Sequence, residues 1–328
     1  MRRRVILDVD TGSDDAVAII AALLSPELEV LGITTVNGNR CVEYTTENTL
    51  RIVELMGSKV PVYKGCGYPI RSTLAGYRPG VPRRENVKEH EIHGNFLEMC
   101  PPSTILPQEQ DAVTWLVDTL METENPITIV PVGPLTNIAN AISIEPRIVK
   151  GIHEIIHMGG GYLYGNKTAA AEYNEWIDPE ACQMVLNAGV PMTFVPLDAT
   201  HAAYMTIEDA KQIQAIDTPV TDVVAELILQ RIKGYTLFQD IGVEDAAPIH
   251  DALCIMALLD ETVLQEVIPA HCQVDLGGSV AYGETIFDIK NGRRLRREAS
   301  NCSVALSADR DKYVNMMYET FCLSREMG

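Results

Sequence analysis

The stretch VILDVDTGSDDAVAIIAALLS, residues 5–25, decides how the rest of the chain is interpreted. An apolar, β-branched run opens it, four aspartates follow within eight positions, and uncharged helix-forming residues complete it. That order predicts a buried strand, a tight turn and a helix. Carboxylates crowded at the edge of a core repel one another, so either water surrounds them or a positive charge lies among them. The four are Asp8, Asp10, Asp14 and Asp15.

Short β-branched runs alternate with helical segments over the first two hundred residues. Nearly continuous apolar strands separated by helices are typical of a mostly parallel sheet covered on both faces. Longer helical segments at about 206–240 and 250–262 come next, followed by strand-like residues and a final helix. We therefore predict an α/β fold with a doubly wound, Rossmann-like central sheet and extra C-terminal helices and strands. Since no linker or repeat divides the chain, we expect one domain over residues 1–328.

Composition limits the possible partners. The net charge of −19 argues against nucleic acid, because phosphate binding needs a basic face, and also against an anionic membrane surface. The longest uncharged apolar run, AVAIIAALL, is much shorter than the ~20 residues that span a bilayer. The eight cysteines never form C-x-x-C, which is typical of a reducing compartment. We expect a cytoplasmic protein that binds neither nucleic acid nor membranes.

The position of the four aspartates favours a metal site. In an open parallel sheet, ligands bind beyond the carboxyl ends of the strands, where Asp8 and Asp10 are expected. Helix capping would account for Asp14 or Asp15. It explains Asp8 and Asp10 poorly, because those two acids end a buried strand. No Cys or His spacing indicates zinc. Carboxylate and carbonyl oxygens suit calcium, whereas magnesium usually keeps several waters and works with phosphates.

Two other classes of function compete with this interpretation. A strand followed by DVDTG is also typical of a haloacid-dehalogenase-type phosphatase, which would use magnesium, Asp8 as nucleophile and Asp10 as acid/base. That hypothesis leaves Asp14 and Asp15 without a role. A non-catalytic nucleoside-binding protein would keep sugar contacts without turnover.

Four further clusters of polar groups lie at predicted strand ends or helix starts. Each is weak alone, because turns and loops also favour such residues. A histidine beside an acid at a helix start is a plausible proton donor. The clusters are Asn37 and Asn39, the carbonyl of Val132, the loop residues Asn166, Glu172 and Asn174, and the pair His250 and Asp251.

The complete set of motifs resembles the inosine-uridine-type nucleoside hydrolase family. It comprises D-x-D-x-x-x-D-D, G-P-L-T-N, M-G-G-G, A-E-x-N and H-D in this order, from DVDTGSDDA to the HDA near residue 250. The resemblance implies an enzyme that hydrolyses the N-glycosidic bond of ribonucleosides to free base and ribose. It also implies a Ca²⁺ cofactor and a homo-oligomer, either a dimer or a tetramer.

The resemblance further implies a role for individual residues. Calcium would be held by Asp10, Asp15, Asp251 and the main-chain oxygen of Val132. Asp10 would be the general base that takes a proton from the attacking water, and His250 would assist departure of the base. The residues expected to contact the ribose are Asp14, Asn39, Met158, Asn166, Glu172 and Asn174.

The base pocket is less well defined by the sequence. The segment QRIKGYTLFQD offers Tyr235, Phe238 and Gln239, although packing accounts for them about equally well. His93 lies within residues 65–106, a segment rich in Gly, Pro and charge that we expect to be functional or mobile. The preference for purine, pyrimidine or deoxy substrates stays open.

Overall fold

A nine-stranded sheet forms the centre of the part of the chain that the computed structural model describes, residues 2–71, 94–239, 241–278, 280–289 and 299–327. The strand order is β10-β9-β11-β6-β5-β4-β1-β2-β3, and within it only β9 runs opposite to its neighbours. The predicted mostly parallel α/β fold is therefore confirmed. The strands are β1 Arg3–Val9, β2 Leu28–Thr35, β3 Val62–Lys64, β4 Ile127–Pro131, β5 Ile152–Met158, β6 Met192–Val195, β9 Leu264–Val274, β10 Thr285–Asp288 and β11 Cys302–Ala308, with β7 Tyr204–Thr206 and β8 Ala246–Pro248 as a separate antiparallel pair.

Helices cover both faces of the sheet, because each central strand is apolar on both sides. In β1, Leu7 packs into one buried cluster with helices α1, α2, α9, α10 and α11, while Ile6 packs into a second cluster with α3, α4 and α6. The bounds are α1 Ser13–Leu24, α2 Val42–Leu55, α3 Ala112–Glu122, α4 Thr136–Ile144, α5 Tyr173–Ile177, α6 Pro179–Asn187, α7 Leu197–Ala202, α8 Ile207–Gln214, α9 Pro219–Phe238, α10 His250–Leu259 and α11 Arg310–Cys322.

The C-terminal third differs in detail from the sequence prediction. The expected helical segment at 206–240 is two helices, α8 and α9, because Asp217 has a φ of 63° and Pro219 starts a new helix. The segment at 250–262 is α10 followed by a 3₁₀ turn at Glu261–Val263. None of the helices that the structure describes has the length and apolar character needed to cross a membrane.

The carboxyl ends of β1, β2 and β4 lie side by side at one edge of the sheet. Asp8 is in register with Thr34 of β2 and Pro131 of β4, so the turns that follow all three strands emerge together. The turn after β5 joins the same edge, because β5 runs parallel to β4. Polar side chains far apart in the sequence are thereby brought to one place.

Asn137, at the start of α4, connects these strand ends. Its Nδ2 donates to Oδ1 of Asp8 at 2.7 Å and to the carbonyl of Thr35 at 3.0 Å, and its Oδ1 accepts from the N–H of Cys66 at 2.8 Å. Asn137 is fully buried, so no water replaces these partners if the amide is lost.

We predict that Asn137→Ala lowers the free energy of unfolding by about 3 kcal/mol, because it leaves buried polar groups on three segments without this partner. The matched control is Asn140→Ala, one turn later in α4, where the amide is only partly buried and donates to the carbonyl of Thr136. We expect about 1 kcal/mol or less there. Urea unfolding followed by circular dichroism measures both, and equal losses would contradict the role of Asn137.

Candidate active site

A cavity of about 330 Å³ opens at this edge of the sheet. Of the fifteen residues expected to bind the metal, the ribose or the base or to act in catalysis, twelve line it, whereas Asp8 and Asn37 do not. Asp10 and Asp15 are fully buried next to the lining residues Asp14 and Asn39, and His93 falls outside the described residues. The twelve are Asp14, Asn39, Val132, Met158, Asn166, Glu172, Asn174, Tyr235, Phe238, Gln239, His250 and Asp251.

The floor of the cavity is acidic. Carboxylate oxygens of Asp14, Asp15 and Asp251 lie within 4.8 Å of one another, and all three side chains are buried. Two of these acids begin α1 and the third is in the first turn of α10, which packs against α1. Within the described residues, no hydrogen-bond donor reaches the buried Oδ1 of Asp14. A buried, unpartnered oxygen among carboxylates is what a divalent cation requires.

Asp10 lies next to this cluster and is held by the backbone. Its N–H donates to Oδ1 of Asp15 at 3.1 Å, and its carboxylate accepts from the N–H of Asn39. A Cβ at Gly38 or Gly133 would collide with the Asp10 carboxylate, so both turns need glycine here. Asp15 also accepts from the N–H of Gly12 at 2.9 Å, so it caps α1 as well as joining the cluster.

The pKa values of these acids reflect burial and mutual repulsion. Burial, followed by the charge of Asp15, raises the pKa of Asp10 well above its ordinary value. Burial and the charge of Asp14 raise the pKa of Asp15 to about 7. Burial and the same neighbouring charges raise the pKa of Asp251 well above its ordinary value. A cation among these oxygens would stabilise the ionised forms and return all three pKa values toward normal.

A buried polar network stands behind the loop that follows β5. Burial lowers the pKa of His157 to about 4, so the ring is neutral. Its Nδ1 lies 3.0 Å from the carbonyl of Pro131, and its Nε2 lies 2.7 Å from Oε1 of Glu175. Burial raises the pKa of Glu175 above its ordinary value. Burial and the neighbouring carboxyl of Glu175 raise the pKa of Glu172 well above its ordinary value.

Backbone contacts fix the polar side chains of the same loop. Oε2 of Glu172 accepts from the N–H groups of Gly160 at 3.2 Å and Asn174 at 2.8 Å. Nδ2 of Asn174 donates to the carbonyl of Val132 at 2.9 Å and to that of Met158 at 3.0 Å. These bonds preorganise the wall of the cavity and leave little freedom to the side chains on it.

His250 is held at both ring nitrogens. The hydroxyl of Tyr235 lies 2.6 Å from Nε2, and the hydroxyl of Thr200 lies 2.6 Å from Nδ1. Both His250 and Tyr235 are buried and line the cavity. Tyr235 is thus a hydrogen-bond partner of the histidine as well as a packed residue, which the sequence pattern of α9 did not distinguish.

Comparison with known proteins identifies the family of this chain. The model of the family "inosine-uridine preferring nucleoside hydrolase" matches residues 5–315. The pyrimidine-specific ribonucleoside hydrolase RihB of Escherichia coli (strain K12 / DH10B) is 33% identical over 323 residues, which cover 97% of this chain and 96% of the relative. This chain is a member of the nucleoside hydrolase family.

Solved structures of nucleoside hydrolases have the same fold. The plant enzyme PpNRh1 superposes with a TM-score of 0.88 at 27% identity, covering 98% of this chain and 99% of that one. A purine-preferring ribonucleoside hydrolase from Gardnerella vaginalis gives a TM-score of 0.83 at 29% identity, covering 99% and 100%. The resemblance read from the motifs is confirmed, and with it the identification of the chain as an enzyme.

The structure also bears on the phosphatase alternative. The carboxylate of Asp8 accepts from the hydroxyl of Thr34 at 2.5 Å and from the amide of Asn137 at 2.7 Å. Asp8 therefore supports the strand ends of this nucleoside hydrolase and does not line the cavity. Asp10 is equally buried, so it is the family match and not exposure to the cavity that argues against the phosphatase hypothesis.

Arg231 is a site residue that the sequence reasoning missed. Its Nη2 lies 2.8 Å from Oδ2 of Asp14, its Nε donates to the carbonyl of Pro248 at 2.6 Å, and its side chain is 4% exposed. A buried arginine so placed partly neutralises the acidic floor of the nucleoside hydrolase. The sequence contained one indication of this position, because Arg231 precedes Tyr235 by four residues and therefore lies on the same face of the helix.

We predict that Arg231→Met lowers the free energy of unfolding of the metal-free enzyme by about 3–5 kcal/mol, because it leaves the Asp14 charge buried and unpaired. The double variant Arg231→Met with Asp14→Asn removes that charge, so it should recover a large part of the loss. Urea unfolding with a chelator present measures both variants. A double variant no more stable than the single one would show that the ion pair is not the cause.

Proposed function

We propose that this enzyme hydrolyses the N-glycosidic bond of ribonucleosides to free base and ribose with a calcium ion in the acidic floor. The observation that carries the proposal is the group of buried carboxylates of Asp14, Asp15 and Asp251 within 4.8 Å of one another, with the buried Asp10 beside them, at the bottom of a cavity of about 330 Å³. A ribonucleoside is of suitable size for such a cavity, since small-molecule sites begin at about 300 Å³.

The donor set supports calcium in particular. Asp10, Asp15, Asp251 and the carbonyl of Val132 would hold the ion, and all four offer the oxygen ligands that it prefers. When bound, calcium would supply the positive charge that favours ionised carboxylates and attracts ribose hydroxyls and water.

Asp10 is proposed as the general base. The N–H of Asn39 donates to its carboxylate, which favours the ionised form that can take a proton from water. The side-chain amide of Asn39 reaches Oδ2 of Asp15 at 3.3 Å, so one residue steadies two of the acids. General base catalysis of this kind typically contributes about 10²–10⁴-fold to the rate.

The ribose is proposed to lie between the acidic floor and the loop after β5. Asp14, on the floor, would face the 2′ hydroxyl. Glu172, whose side chain lines the cavity, would contact a sugar hydroxyl. The other residues proposed to contact the sugar are Asn39, Met158, Asn166 and Asn174.

Departure of the base is proposed to use His250 together with Tyr235. The hydroxyl of Tyr235 lies 2.6 Å from Nε2 of His250 and both residues line the cavity, so a proton would pass from Nε2 through this hydroxyl to the leaving nitrogen. Phe238 and Gln239 extend the same wall and are proposed to contact the base. The relative RihB is named as pyrimidine-specific and the Gardnerella enzyme as purine-preferring. The base that this enzyme prefers is therefore to be determined by experiment.

The decisive experiment measures free ribose released from a panel of purine and pyrimidine ribonucleosides, with calcium and after chelation. We predict turnover with calcium, a loss of at least about 100-fold on chelation, and recovery on adding the metal back. Asp10→Asn should lose turnover by about 10² or more while its circular dichroism spectrum stays unchanged. Chelated protein that works at full rate, or an Asp10→Asn variant as active as the parent, would refute the proposal.

A second prediction concerns the leaving group. His250→Ala should slow the hydrolysis of inosine or uridine by about 10²-fold and that of a nitrophenyl riboside much less, because nitrophenolate departs without a proton. Tyr235→Phe should show the same selective loss if the hydroxyl passes the proton. Steady-state kinetics on both substrates measure this, and equal losses on both would remove the acid role.

The dimer or tetramer and the cytoplasmic location expected from the sequence stay predictions.

A further inference from the structure

A second cavity adjoins the one that holds the proposed active site. It has a volume of about 410 Å³, and Asn166 and Gln239 line both cavities, so the two spaces meet at these residues. We call this second cavity the side chamber. The residues that line only the side chamber have no role in the reaction described so far, and they are Tyr164, Gly165, His201 and Ile241.

Two aromatic rings form one surface of the side chamber. The ring centroids of Tyr164 and His201 are 5.2 Å apart and the ring planes are inclined by 27°, so the rings are stacked. Tyr164 lies in the loop after β5 and is 39% exposed, whereas His201 is in α7 and partly buried. Aromatic side chains of this kind bind planar bases by stacking.

His201 is also a neighbour of the proposed acid. Its ring centroid lies 5.6 Å from that of His250, whose Nε2 is 2.6 Å from the hydroxyl of Tyr235. The proposed function puts the leaving nitrogen of the base at this hydroxyl. Gln239, which is proposed to contact the base, lines both cavities. The part of the base beyond the leaving nitrogen therefore has the side chamber next to it.

A nitrogen of His201 lacks a partner within the part of the chain that the structure describes. This atom, Nε2, is buried and forms no hydrogen bond there. Burial, followed by the charge of Arg231, lowers the pKa of His201 to about 4, so the ring is neutral at pH 7. A neutral imidazole has one donor and one acceptor nitrogen. Because a buried nitrogen without a partner is unfavourable, a ligand with a polar edge would supply the missing hydrogen bond.

The side chamber suits a base with two rings. A purine reaches one fused ring further from C1′ than a pyrimidine, and its far edge carries hydrogen-bonding groups. The stacked rings and Nε2 of His201 complement both features. A pyrimidine would end near Gln239 and leave them unused. The sugar surfaces stay as assigned, because Glu172 and Asn174 line only the first cavity.

We propose that Tyr164 and His201 determine the base specificity of this enzyme by receiving the second ring of a purine, so that purine ribonucleosides are its preferred substrates. The inference rests on the proposed function, because it uses the same acidic floor and the same acid. The bond that breaks is also the same, and the side chamber changes only which base is bound well in the transition state.

The test compares kcat/KM for inosine and for uridine, measured on the full chain with calcium. For the parent enzyme we expect kcat/KM to be at least about tenfold higher for inosine, since only this base fills the side chamber. Tyr164→Ala should lower the ratio of inosine to uridine by about tenfold, because it removes a stacking ring. The loss should fall on inosine, whereas a general loss of structure would lower both values. Tyr164→Phe keeps the ring and should leave the ratio unchanged.

A third variant tests the unpartnered nitrogen. His201→Phe keeps an aromatic ring and removes Nε2, so it should lower the ratio by about fivefold through the lost hydrogen bond. Circular dichroism checks folding, and if His201→Phe does not fold, the two Tyr164 variants carry the test. The matched control is Tyr318→Ala in α11, because Tyr318 is also 39% exposed and lines neither cavity. It should leave the ratio unchanged.

A parent enzyme without the preference for inosine would overturn the inference. A ratio that stays unchanged in Tyr164→Ala or in a folded His201→Phe would also overturn it, as would a Tyr164→Phe variant that loses as much as Tyr164→Ala. Failure of the proposed function is a different result, in which neither inosine nor uridine releases its base.

Discussion

Mutual repulsion among buried carboxylates is the constraint on which the rest of this structure depends. Asp10, Asp14, Asp15 and Asp251 are packed at the carboxyl edge of a parallel sheet, where little water screens them. Burial and like charge raise the pKa values of Asp10, Asp15 and Asp251. Without a cation, the folded protein therefore either keeps protons on these acids or is destabilised by their repulsion. The same arrangement becomes favourable when positive charge is present.

Several features of the chain reduce this repulsion. Backbone N–H groups donate to Asp10 and Asp15, and glycines let the turns approach closely enough for such bonds. Arg231 adds a full positive charge from α9 and pairs with Asp14. Removing any one of these partners leaves a buried charge uncompensated, which explains why the acids are supported from several elements.

The cavity combines three chemically different surfaces because three parts of the fold meet there. The acidic floor comes from the starts of α1 and α10, and the wall with Tyr235 comes from α9. The wall with Arg40 and Lys167 comes from the turns after β2 and β5. Tyr173 joins those two turns across a separation of 135 residues. A polar ligand with chemically distinct ends therefore has one preferred orientation in this cavity.

The sequence by itself determined the fold class, the family and the acids of the floor, because these depend on local order. A strand, a turn and a helix follow directly from residues 5–25, and the carboxyl ends of parallel strands must share one edge. Only the tertiary structure decided which side chains act as partners. Arg231 shares a helix face with Tyr235 in the sequence, but only packing placed it beside Asp14, and only packing brought Arg40 and Lys167 to the cavity. Their roles depend on contacts between residues far apart in the sequence, and the periodicity of an isolated segment does not contain that information.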